Sequence, residues 1–194
     1  MTLPRIVLAS TSRYRAGLLR RLVADFTQAA PAVDEETLPN EAPRDRAVRL
    51  AEAKARAVAP TLDAALVIGS DQVAALGAQV LHKPGTIKNA HEQLRASSGR
   101  TVDFYTGLCM VDGRTGHAIS HLDHTRVVFR RLTDAEIDRY LAAEKPLDCA
   151  GSFKAEAAGI ALFERIDSSD PTALIGLPLI ALARLLRAAG FALP

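Results

Sequence analysis

Apolar residues recur along the chain at two spacings, and the switches between them mark its elements. Arg5-Ile6-Val7-Leu8-Ala9-Ser10 is a β-branched run ending in a hydroxyl, which predicts a buried strand. After Ser12, Leu18, Leu19, Leu22 and Val23 fall at helical spacing, so the order is strand, tight turn, helix. Residues 26–33 read as a second extended piece, closed by Asp34-Glu35-Glu36. Pro43 opens a long helix to about residue 59, with Val48, Ala51, Ala55 and Val58 on one face. Ala65-Leu66-Val67-Ile68-Gly69 is the strongest strand signal; it continues through Asp71 towards Leu76, and Gly77-Ala78 turns it into a hairpin with residues 79–81. Residues 86–97 read as helix, and residues 101–110 and 117–129 as strands joined across Asp112-Gly113. Thr133-Asp134-Ala135-Glu136 is a capping box that starts a helix ending near Glu144. A strand over 160–165 and a helix from about Leu177 complete the series.

Strands and helices alternate at first, while the middle holds hairpins. The expected class is therefore α/β with a mixed sheet flanked by helices. No internal repeat or linker divides the 194 residues, which are read as one domain. The formal net charge of +2 supplies no basic coat for nucleic acid, and an aromatic content of 5% without Trp supplies no stacking platform for single strands. Cys109 and Cys149 are too few for a disulfide framework and are expected as buried thiols in a reducing compartment. The start has no signal-peptide core, and the apolar C-terminal stretch is broken by Pro178, Arg184 and Arg187. The expectation is a cytoplasmic protein with neither membrane nor nucleic acid as partner.

Four features could carry chemistry. Ser10-Thr11-Ser12-Arg13-Tyr14-Arg15, at the strand-to-helix turn, gathers hydroxyls, backbone N–H groups and two guanidinium forks, which suits phosphate; a capping cluster followed by solvated arginines would look the same. Asp71, placed near the C-terminal end of an apolar strand, must be paired, metal-bound or open to a cleft, because a bare buried carboxylate is costly. It could hold Mg²⁺, take a proton from water, or bond to a local turn. Asp34-Glu35-Glu36 could add a second carboxylate to a metal, or be solvated loop. Finally, 19 of the 24 basic residues are Arg, so the retained Lys54, Lys83 and Lys154 suggest places where a compact point charge is wanted, although Lys88 and Lys145 fit chance survival on the surface equally well. His121 and His124 fall on opposite faces of a strand and would not share an ion.

Leu8-Ala9-Ser10-Thr11-Ser12 with Arg15, Val33-Asp34-Glu35, Gly69-Ser70-Asp71-Gln72-Val73, Lys83-Pro84, Phe104-Tyr105-Thr106-Gly107 and Gly176-Leu177-Pro178-Leu179 occur in an order that resembles the Maf family of nucleoside triphosphate pyrophosphatases over essentially the whole chain. The resemblance implies hydrolysis of a nucleoside triphosphate between its α- and β-phosphates, a divalent metal (Mg²⁺ or Mn²⁺), an elongated, twisted mixed sheet with two lobes about a central cleft, and a possible homodimer. It makes Asp71 the proton acceptor and a metal ligand with Glu35. It also makes Ser10, Arg15, Lys54 and Lys83 phosphate contacts, and Arg13 and Lys154 are expected to join them.

Tyr14, Gln72 and Glu156 fall on positions that sort the family's branches, and an aromatic with an acid resembles the branch acting on 7-methyl-GTP. N7-methylation makes guanine a cation, whose stacking on a ring such as that of Tyr14 is worth about 0.5–2 kcal/mol, or about two- to thirty-fold in preference. Glu156 could accept from guanine N1–H and the exocyclic amine together. Two departures stand out: Arg13 replaces a frequent proline, and Tyr14 stands where the branch tends to carry Trp. The alternatives are the same reaction on another nucleotide, such as UTP or dTTP, and a nucleotide-binding regulator of septum formation.

Overall fold

The structure, a computed structural model, describes residues 3–61 and 64–193. Seven strands form one mixed sheet: β1 (Arg5–Leu8), β2 (Thr27–Gln28), β3 (Ala65–Leu76), β4 (Gln79–Leu81), β5 (Thr101–Asp112), β6 (Ala118–Phe129) and β7 (Phe163–Asp167). They lie in the order β2-β1-β3-β5-β6-β7, with β4 paired to β3. Among the described residues five α-helices accompany them: α1 (Arg13–Leu19), α2 (Pro43–Val58), α3 (Ile87–Ser97), α4 (Asp134–Glu144) and α5 (Leu179–Ala188). Among the described residues, no helix is long and apolar enough to cross a membrane. The chain forms two compact units, one of residues 1–71, 106–123 and 170–194, the other of residues 72–105 and 124–169.

In the first unit, β1 runs parallel to both β2 and β3, with Val7 opposite Thr27 on one side and Val67 on the other. Strand alternation then splits the apolar residues into two cores. Ile6, Leu8, Leu66, Ile68, Leu108 and Met110 face one way and pack with residues of α1 and α5 such as Leu19, Leu182 and Leu186. Val7, Val67, Cys109 and Val111 face the other way and meet Ala51, Ala55 and Val58 of α2. Burial on both faces explains why these strands read as unbroken apolar runs.

The second unit is built on antiparallel pairs. Ala74 to Leu76 pair with β4, and residues 126–129 pair with β7 through an irregularity between Val128 and Phe129. Phe104, Phe129, Phe153 and Phe163 pack edge to face with centroids 4.7–5.7 Å apart. The capping box at Thr133 and Glu136 is formed as the spacing predicts.

Several boundaries differ from expectation. Only Thr27 and Gln28 of the extended piece over 26–33 are strand; the last ladder bond comes from Ala29 N–H to the Leu8 carbonyl, shortly before Pro31, which has no N–H to offer. Helix α1 stops at Leu19, and Leu22 and Val23 reach the core from beyond its end. Ile160 lies in a 3-10 segment, Ala158–Leu162, so β7 starts at Phe163. Helix α5 starts two residues after Leu177. Cys149 is half-buried rather than buried, and neither cysteine is in a disulfide.

Candidate active site

Asp71 is not at a strand end. It is the seventh residue of the twelve in β3 and only 8% exposed. A carboxylate there needs a partner, and Lys54 of α2 supplies it, donating from Nζ to Asp71 Oδ1 at 2.6 Å. The same ammonium lies 2.7 Å from Glu35 Oε1. Lys54 is itself buried, so one desolvated cation bridges a buried and an exposed carboxylate.

Two glycines set how closely α2 approaches the sheet. A Cβ on Gly69 of β3 would stand 2.2 Å from the Ala51 carbonyl oxygen, and one on Gly107 of β5 would stand 2.2 Å from that of Ala47. Ala47, Ala51 and Ala55 recur every fourth residue and form the stripe that fits these gaps, which brings Lys54 over Asp71. From the same helix, Arg46 donates to the Glu35 carbonyl at 2.7 Å and to Thr37 Oγ1 at 2.5 Å, while Arg49 pairs with Glu41. The basic side of α2 thus pins the acidic loop that carries Glu35.

A second group meets at the Ser10 turn. Ser10 is buried; its Oγ accepts from the Ser12 N–H at 3.1 Å and from the Arg15 guanidinium at 3.4 Å. Arg15 Nε donates to the Gly176 carbonyl at 2.9 Å. That carbonyl also takes the Ser70 hydroxyl at 2.9 Å, and Ser70 reaches the Gly107 carbonyl at 2.7 Å as well. Gly176 adopts φ +116°, a conformation that side chains disfavour. Burial pulls the Arg15 pKa below its ordinary value, and the charges of Asp71 and Glu35 oppose that pull. Arg15 keeps its proton and belongs electrostatically to the same cluster.

The expected residues therefore divide. Ser10, Arg15, Glu35, Lys54 and Asp71 are brought together in the first unit. Arg13 lies against Tyr14: its guanidinium is 4.8 Å from the ring centroid and donates to Tyr14 Oη at 2.8 Å. The other four belong to the second unit. Gln72 is half-buried on β3. Lys83 is exposed and, with His82, Asn89 and Gln93, lines a cavity of about 310 Å³. Its turn is held from α3, where Asn89 donates to the Pro84 carbonyl and Gln93 to that of His82, both at 2.9 Å. Lys154 meets the end of α4: its ammonium donates to the Glu144 carbonyl and lies 3.7 Å from the Glu144 carboxylate. Its N–H meets Tyr140 Oη, whose pKa is raised, chiefly by burial. Glu156 is exposed and sits in a turn.

Sequence reading missed the positioning roles of Gly69, Gly107, Ser70 and Arg46. The glycines left a trace, since glycine inside a strand pattern marks close backbone approach. Ser70 and Arg46 left none, because Ser70 meets distant backbone carbonyls and Arg46 meets the Glu35 carbonyl and the Thr37 hydroxyl across a loop.

A mixed α/β protein with clustered cations and carboxylates has the elements of a site for a phosphorylated ligand. Comparison with known proteins narrows the class. The Maf-like protein family matches residues 5–189, and the chain belongs to that family. A protein of Xanthomonas campestris pv. campestris (strain 8004) named 7-methyl-GTP pyrophosphatase is 58% identical over 192 residues, covering 99% of this chain and 100% of that one. One of the same name from Burkholderia thailandensis is 56% identical over 195 residues, covering 99% and 91%. Among solved structures, a nucleoside-triphosphatase (dITP/XTP pyrophosphatase) of Mycobacterium abscessus overlaps 66% of this chain and 75% of its own at 17% identity and a TM-score of 0.42.

Proposed function

We propose that this protein hydrolyses 7-methyl-GTP to 7-methyl-GMP and pyrophosphate, removing a modified nucleotide from the cytoplasmic pool. The observation that carries the reading is the buried Lys54 ammonium held by both Asp71 and Glu35, in a chain 58% identical along its length to a protein named for that activity.

Asp71 accepts a proton from water, whose oxygen attacks the α-phosphorus in line with the bridging oxygen to the β-phosphorus. That P–O bond breaks, and pyrophosphate leaves with the bonding pair. No covalent enzyme intermediate is needed. Lys54 holds Asp71 in place before substrate arrives and offers a positive charge to a phosphate oxygen afterwards. Arg15, fixed by Gly176 and Ser10, presents its remaining N–H groups to the phosphates. Two hard carboxylate oxygens, each within 2.7 Å of the Lys54 nitrogen, are donors suited to Mg²⁺ or Mn²⁺. Among the described residues there is no cluster of three or more His, Cys, Asp or Glu side chains for a metal, so phosphate oxygens and water would complete the coordination shell. Bound there, the ion would neutralise charge developing at phosphorus. Tyr14 stacks on the methylated base.

The test is pyrophosphate release by the purified protein with Mg²⁺ or Mn²⁺ on 7-methyl-GTP, GTP, UTP and dTTP. The methylated nucleotide should be preferred, and Asp71→Asn should lower turnover by about 10²- to 10⁴-fold, the usual contribution of a general base. Equal rates on UTP and 7-methyl-GTP would overturn the substrate assignment. An active Asp71→Asn would overturn the mechanism.

A further inference from the structure

The Tyr14 ring already holds a cation. The guanidinium carbon of Arg13 lies 4.8 Å from the ring centroid, inside the range of a cation–π contact, and its NH2 is tied to the hydroxyl of the same ring at 2.8 Å. Arg13 is exposed and Tyr14 half-buried, so the pair stands where a ligand could reach it. Resting on the reading of Tyr14 as the platform for a methylated base, we infer that Arg13 is a specificity-determining residue that weakens the preference for cationic over neutral guanine.

The physical reason is competition for one attractive surface. A methylated guanine gains from the ring through its positive charge, and the guanidinium draws on the same electron density. The base must either displace Arg13, breaking its bond to Tyr14 Oη, or settle beside a like charge. Neutral guanine forfeits less, because its stacking does not depend on a net charge. Arg13 also attracts phosphate, but that attraction is common to GTP and 7-methyl-GTP and cancels in the ratio of their kcat/KM values. The arginine therefore raises affinity for any nucleotide while lowering discrimination between these two.

The experiment measures that ratio with both nucleotides in competition, using the full chain and three variants. Arg13→Ala should raise the preference for 7-methyl-GTP by about two- to thirty-fold, the span of a cation–π contact expressed as a ratio. Tyr14→Phe keeps the ring but removes the hydroxyl that tethers Arg13, and should raise the preference by a smaller factor. Where a variant loses turnover, its relative affinity for 7-methyl-GMP and GMP reads the same quantity. If the ratio stays level or falls in both variants, the inference is overturned. Tyr14→Ala separates it from the reading beneath. A preference that survives loss of the ring removes the base platform and this inference together. A preference that collapses with the ring, yet is unmoved by Arg13→Ala and Tyr14→Phe, removes this inference alone.

Discussion

Adding one methyl group to Gly69 should disarm the site without touching a charged residue. The Cβ of Gly69→Ala would lie 2.2 Å from the Ala51 carbonyl oxygen, 2.7 Å from the Ala55 nitrogen and 2.9 Å from the Ala55 Cβ. None of these atoms can swing aside, because all three are fixed to the α2 backbone. Ordinary contact starts near 3.4 Å, so α2 and β3 must part by roughly 1 Å. Overpacking of this kind costs about 1–3 kcal/mol, and more where backbone is the obstacle. For a chain of this size each kcal/mol moves Tm by about 2–4 °C, so a fall of roughly 2–12 °C is expected. Lys54 lies one turn beyond Ala51 on the displaced helix, and its contacts of 2.6 and 2.7 Å with Asp71 and Glu35 have no slack. A displacement near 1 Å at catalytic groups costs on the order of 10²-fold in rate, so pyrophosphate release should fall by about that factor. Gly17 is the control: a Cβ there meets nothing within 4 Å. Gly17→Ala should therefore keep full turnover and gain about 0.5–1 kcal/mol from helix propensity. Thermal melting and turnover measured side by side decide the matter, and a Gly69→Ala protein with native Tm and rate would refute the close-approach argument.

Two further outcomes are expected. Ser70→Ala removes the buried hydroxyl that serves the Gly107 and Gly176 carbonyls, so stability should drop by about 1–3 kcal/mol in a denaturant titration, and an unshifted midpoint would contradict the bridging role. Glu136 has its pKa lowered to about 2, first by the Thr133 N–H, then by the Thr133 hydroxyl and Arg130. A folded-state value below the ordinary 4.5 makes its contribution complete above that pH and progressively lost as pH falls towards 2. Glu136→Gln should therefore flatten the acid side of the stability profile in that window, and profiles of equal slope would exclude the linkage.

The regular elements were legible because their signals are local. Pro43 with an alanine stripe, the Thr133 capping box and the apolar run of β3 need no distant partner to be read. The errors arose where a distant partner decides. The run through Asp71 to Leu76 was legible as strand, but not what lets a carboxylate sit in its middle rather than near its end: Lys54, seventeen residues earlier, crosses from α2 to meet it. Ile160 looked like strand, yet a Cβ on Gly159 would stand 2.3 Å from the Lys154 carbonyl oxygen, a close approach made by the turn around it. Lys54 and Lys154 stood out for one reason, lysines retained among arginines, and met different ends: one bridges Asp71 and Glu35, the other braces Glu144. Composition marks where a point charge is kept and says nothing of what faces it.

The balance of charge in the cluster bears on how a triphosphate could enter. Arg15 and Lys54 stand against Asp71 and Glu35, so the four side chains sum to no net charge. Such balance lets Asp71 and Lys54 be buried, since either one left alone would carry the full cost of desolvation. It also means that a ligand bearing several negative charges finds no surplus of positive charge waiting. Of the two cations, Arg15 is fixed at both ends of its guanidinium by Gly176 and Ser10, whereas Lys54 hangs on a flexible four-carbon stem. On the proposed reading Lys54 is the member that turns from carboxylate to phosphate. Were Lys54 to turn, Asp71 and Glu35 would lose their shared ammonium, and these two carboxylates would be the residues to hold a hard divalent cation. On that reading Glu35 would have a purpose that its exposure alone does not suggest: it would add a second carboxylate to Asp71, so that nucleotide and cation would favour each other's binding.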